Sequence, residues 1–134
     1  MLDHHSALIY VTVLMSAADQ DMDDAELEAI GDIVAHWPVF RDFDYNKIAD
    51  RAADCAKLLM REDGLDQALD QIARALPEKL HETAYALACD VAAADGSAKQ
   101  EELRLLEMLG DRLNLGRLEM AAIERGTRAR HRTA

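Results

Sequence analysis

Ala7-Leu8-Ile9-Tyr10-Val11-Thr12-Val13-Leu14-Met15-Ser16-Ala17-Ala18 is the stretch on which the fold turns, because only Thr12 and Ser16 in it are polar. A helix that is apolar nearly all round belongs at the centre of a bundle. The run is about ten residues too short for a membrane span. A second such run, Ala84 to Ala94, carries Asp90 as its only charge. Around these two the pattern is amphipathic. Leu27, Ile30, Ile33 and Val34 make one helical stripe, and Leu103, Leu106 and Leu109 make another. The architecture these patterns predict is all-α, with two central apolar helices wrapped by amphipathic ones.

Composition agrees. The chain of 134 residues is 50% hydrophobic, 31% charged and only 4% aromatic. Its apolar part is rich in the helix formers Ala, Leu and Met, and β-branched residues never gather into alternating runs. The length suits one domain with a substantial core.

Caps and breakers divide the chain into about seven helices. They are predicted over residues 3–18, 24–36, 45–61, 65–76, 78–94 and 99–113, with a seventh ending near Gly126. Trp37-Pro38 stops the second, since proline disfavours helix in the residue before it. Pro77 suits the first turn of the fifth. Residues 1–126 are expected to form the single domain, and the arginine-rich residues 127–134 a basic, disordered tail.

Charge is unevenly spread. The net charge is −11, with no Lys or Arg between Met1 and Phe40 and no acid from Arg125 onward. Such a body repels nucleic acid and anionic lipid and attracts cations or basic protein surfaces. Cys55 and Cys89 form no CxxC pair and read as reduced core residues. No basic n-region precedes the first apolar run, so a soluble, cytoplasmic protein without direct membrane insertion is expected.

The two apolar helices lead into matching segments. Ala17-Ala18-Asp19-Gln20-Asp21, followed by Glu26-Leu27 and Ile30, aligns with Ala93-Ala94-Asp95-Gly96-Ser97, followed by Glu102-Leu103 and Leu106. The offset is 76 residues throughout, which reads as a duplication with pseudo-two-fold symmetry and too few units for a solenoid. This pattern, an apolar helix, Ala-x-Asp-Gly and a Glu seven residues after the Asp, resembles the TerB family of bacterial tellurite-resistance clusters. It is similar also to the N-terminal domain of some membrane-anchored DnaJ-type co-chaperones. Ala94-Asp95-Gly96 with Glu102 is the better match, because Gln20 stands at the glycine position of the first copy. The resemblance implies a helical fold, no established catalysis, an acidic surface associated with metal ions, and a role in stress-response assemblies.

The acidic turns are the candidate site. Asp19, Asp21, Asp23, Asp24, Glu26 and Glu28 crowd the first junction. Hard cations want six to eight oxygens, which clustered carboxylates and turn carbonyls supply. Asp19-x-Asp21-x-Asp23 resembles the start of an EF-hand loop, but Asp24 occupies the required glycine position and Ile30 the final Glu position. A looser divalent-cation site, for Ca²⁺ or Mg²⁺ rather than a transition metal, would use Asp19, Asp23 and Glu26, mirrored by Asp95 and Glu102. The competing account is capping. Asp23 with Glu26 forms a capping box, and acids in a first turn complement the helix dipole. Capping explains one or two acids per junction but does not require six.

Other constellations are sparse. Asp90 must face solvent or a partner, and a rim position reached by water or an arginine is expected. Glu78-x-x-His81 has di-iron spacing without a second copy, so His81 reads as a surface residue. His4-His5 could bind a transition metal, but only adventitiously. No phosphate loop or nucleophile–His–acid arrangement is present, and no enzyme is expected. Two functions follow from different classes. One is a module binding divalent cations, partner proteins or both through its acidic face, in metal, tellurite or envelope stress. The other is a purely structural interaction domain without a metal site. Nothing in the chain has the soft thiolate chemistry to handle tellurium directly.

Overall fold

The computed structural model describes residues 2–16, 24–93 and 100–134, and for residues 24–26 the backbone alone. Seven α-helices run through the described residues: α1 (His4–Ser16), α2 (Asp24–His36), α3 (Ile48–Leu59), α4 (Gly64–Ala75), α5 (His81–Ala93), α6 (Gln100–Arg112) and α7 (Arg117–Arg130). No strand accompanies them among these residues. The fold is the all-α bundle that the apolar runs predict.

The core sits around α1, in which every residue from Ser6 to Met15 is buried. Thr12 can lie there because its hydroxyl donates to the Ile9 carbonyl at 2.6 Å, which removes the cost of an unpaired polar group. Asp3 caps the helix: its carboxylate accepts from the Ser6 amide at 2.7 Å, and that bond holds its pKa below the usual value. Helix α5 is the second central element and packs on α1, while α3 and α4 close over the remaining faces of α1. Tyr85, Leu87 and Ala88 on α5 meet Leu8, Ile9 and Val11 of α1 in one continuous core. Each fully buried Leu or Ile there contributes about 1.5–3 kcal/mol.

The connection after α2 holds a turn of 3-10 helix at Pro38–Phe40. It brings Phe40 into the core and packs Phe40 and Phe43 against His5, with ring centroids 5.8 and 5.2 Å away. His5 Nε2 donates to the Val39 carbonyl at 2.9 Å. That bond fixes the imidazole to this loop and takes up one of its nitrogens. The third and fifth helices each begin with a 3-10 turn, Tyr45–Lys47 and Glu78–Leu80, so their α-helical parts start later than predicted.

Three expectations are corrected. His81 is not a surface residue: it is half-buried, its Nδ1 3.0 Å from the Leu113 carbonyl and its Nε2 3.1 Å from that of Leu76. Leu103 does not complete the core stripe with Leu106 and Leu109. It is 53% exposed. The seventh helix passes Gly126 and ends at Arg130. Thr127 is buried against α5, and Arg130 finds an acidic partner there, so the first residues of the expected tail continue the helix.

The α6–α7 turn is a Schellman motif built on asparagine. Leu115 N–H reaches Gly110 O at 3.0 Å, Asn114 N–H reaches Asp111 O at 3.1 Å, and Asn114 takes the left-handed φ of 57°.

Candidate functional site

The two acidic junctions lie between α1 and α2 and between α5 and α6. Of the predicted ligands, Asp19, Asp23 and Asp95 fall outside the described residues, as does the side chain of Glu26. Glu102, in the first turn of α6, is described: it is 5% exposed. A carboxylate buried to that degree needs a partner, and Glu102 has one. Among the described residues no three His, Cys, Asp or Glu side chains come together as a metal-binding group. Helices α2 and α6, which carry the matching Glu-Leu pairs, are each 13 residues long, and both their starts and their ends are 76 residues apart.

The best-defined polar geometry among the described residues lies on the face where α7 packs on α5. Arg130 Nη2 donates to Asp90 Oδ1 at 2.7 Å, and His131 Nε2 stands 3.4 Å from the same oxygen. Asp90 is therefore the arginine-reached rim position that its isolation on an apolar helix predicts. One turn and a half earlier on α5, the buried Tyr85 hydroxyl donates to Glu124 Oε2 of α7 at 2.6 Å. Burial first, and then the adjacent carboxylate, push the Tyr85 phenol far above its ordinary pKa. Burial also raises the Cys89 thiol to about 12. Cys55, in the core with its Sγ 3.9 Å from the Tyr10 carbonyl, is pushed up to about 12 by burial alone. Both cysteines are free thiols held protonated, the reverse of what nucleophilic or metal chemistry requires.

Sequence reading missed the Tyr85–Glu124 pair because neither residue belongs to a spaced motif. The available signal was the expectation that a buried tyrosine hydroxyl finds a partner.

Residues 5–125 match the family model described as tellurite resistance protein TerB. The chain belongs to the TerB family. The match covers α1 to α6 and most of α7, so the TerB domain includes both acidic junctions and the Tyr85–Glu124 bond. Its last residue is Arg125, which leaves Thr127, Arg130 and His131 as contacts made beyond the shared stretch. No curated protein and no solved structure matches the chain. No helix among the described residues is long and apolar enough to cross a membrane.

Proposed function

We propose that this TerB domain is a non-enzymatic cytoplasmic module that binds a divalent cation, a partner protein or both through its acidic junctions, in tellurite, metal or envelope stress. The observation that carries the reading is the surplus of acids at the first junction. Six carboxylates lie between Asp19 and Glu28, and no Lys or Arg occurs before Arg41. A helix start uses one or two such groups for capping, so most of the six remain for an outside cation.

The donor set selects the ion. It is all oxygen, from Asp19, Asp23, Glu26 and Asp95, which suits Ca²⁺ or Mg²⁺ better than thiophilic metals. The duplicated reading supports pairing the junctions, since α2 and α6 repeat in length at the same 76-residue spacing. A bound cation would neutralise part of the acidic surface and so change which protein surfaces this face attracts.

Thermal melting in the presence of Ca²⁺, Mg²⁺, Mn²⁺ or Zn²⁺ tests the proposal. A specific site raises the midpoint progressively with ion concentration, and Asp19→Asn with Asp95→Asn abolishes the rise. An unchanged midpoint with every ion, or an unchanged response in the double variant, removes the cation reading.

One observation favours the structural alternative at one position. Glu102 is buried and already engaged, so it serves the fold whether or not an ion binds nearby.

A further inference from the structure

Helices α6 and α7 form a hairpin that is tight at its turn and open at its far end. Near the turn, Met120 packs against Gly110, whose lack of a side chain admits it. Beyond that contact a groove of about 380 Å³ lies between the two helices. Its floor is the stripe Tyr85, Cys89 and Ala92 of α5, residues at helical i, i+4, i+7 spacing. Leu103 and Leu106 form one wall, and Glu124 and Thr127 the other.

The first half of the domain closes the corresponding space. There α2 packs on α3, and Leu27, which stands 76 residues before Leu103, is packed against the core. In the second half Leu103 projects at the lip, half-exposed, with its neighbour Leu106 buried behind it. The apolar stripe of α6 is thus longer than the core it covers.

We infer that this groove is a docking site for an amphipathic helix of a protein partner, with apolar residues facing α5 and basic residues along its flanks. Three observations select that occupant. The lining is predominantly apolar, and the groove is open to solvent rather than enclosed. Small-molecule sites instead enclose most of their ligand, whereas an open groove buries one face of a rod. The lining carries Glu107 and Glu124 against the one cation Arg128, so flanking Lys or Arg is favoured over flanking Asp or Glu. Arg128 lies at the α7 end of the groove, where no described acid pairs with it. A cation there complements the carbonyl-rich C-terminus of a docked helix and sets its direction. The inference uses neither acidic junction, so it stands apart from the proposed cation site.

The test uses a fluorescently labelled Leu/Lys peptide of about 18 residues, long enough to lay i, i+3, i+4 and i+7 anchors along one groove. Three comparison probes accompany it: a scrambled peptide of identical composition with no apolar face, a Leu/Glu amphipathic peptide, and laurate. The expected result is saturable binding of the Leu/Lys helix alone, with methyl NMR shifts at Leu103, Leu106 and Met120. Leu103→Ser should weaken it by about tenfold, the effect of losing one anchor side chain. Glu107→Lys should weaken it as well. Leu118→Ser, at a 79% exposed apolar position of α7 outside the groove, should leave it unchanged. Both leucines are exposed, so neither change threatens folding. Equal binding of the scrambled peptide, equal effects of the two leucine variants, or preference for the Leu/Glu peptide or laurate would overturn the inference.

Discussion

The Arg130 guanidinium reaches the Asp90 carboxylate at 2.7 Å and so ties the last turn of α7 to the last turns of α5, beyond residue 125, where the match to the TerB family ends. Asp90 is 19% exposed and Arg130 53% exposed, so the carboxylate is the group with more to lose. Arg130→Ala should destabilise the domain by about 1 kcal/mol, the upper range for a pair with one exposed partner. Asp90→Leu with Arg130→Leu should recover most of that loss, because no buried charge is then left unpaired. Urea unfolding of the single and double variants checks both statements.

How much of this was legible beforehand depends on which force decides each feature. The central positions of α1 and α5 were legible because burial on all sides demands apolar residues on all sides, as the buried run Ser6–Met15 shows. The end of α2 was legible from Trp37-Pro38. The burial of His81 was not, since its two carbonyl partners come from Leu76 and Leu113 and only the folded chain brings them together. The stripe Leu103, Leu106, Leu109 gave the correct helix but not the exposure of Leu103 at its start. At the acidic junctions, sequence identifies the donor types, whereas ligation depends on their placement in space.

Two glycines should respond unequally to alanine. A Cβ at Gly64 would collide with the backbone carbonyl of Leu58, which cannot move without disturbing the end of α3. At Gly110 the obstacle is the end of the flexible Met120 side chain. Gly64→Ala should therefore cost about 2 kcal/mol or more, at the upper end of single-site effects. Gly110→Ala should fall within about 1 kcal/mol of wild type, because the gain in helix propensity offsets the displacement of Met120. Thermal melting of the two variants side by side separates the cases.

His81 joins the ends of two helices. Replacing it with alanine removes the ring N–H that the carbonyls of Leu76 and Leu113, at 3.1 and 3.0 Å in the native arrangement, share between them. The expected loss is about 1–3 kcal/mol, the cost of stranding partly buried acceptors. His81→Gln, which keeps an N–H donor, should lose less. Hydrogen exchange should quicken first at the C-terminal turns of α4 and α6.

Alkaline pH should unfold the domain through its buried acids. Burial raises the Cys55 and Cys89 thiols to about 12 and drives the Tyr85 phenol upward. The folded state therefore keeps these protons after the unfolded chain has released its own. Their contribution is complete below the unfolded thiol pKa of about 8.5 and is lost as pH rises from there toward 12. Unfolding free energy should be flat from pH 6 to 8 with respect to these groups and fall above about pH 9, and Cys89→Ala should make the fall shallower. Thiol reagents at neutral pH should modify neither cysteine until urea is added.

The acidic junctions carry the proposed function, and backbone NMR reports on them directly. Titration with Ca²⁺, and separately with Mg²⁺, should produce saturable shifts at the amides of residues 17–25 and 94–100, and Asp19→Asn with Asp95→Asn should remove them. Shifts that never saturate, that spread evenly over the acidic surface, or that persist in the double variant would contradict the account.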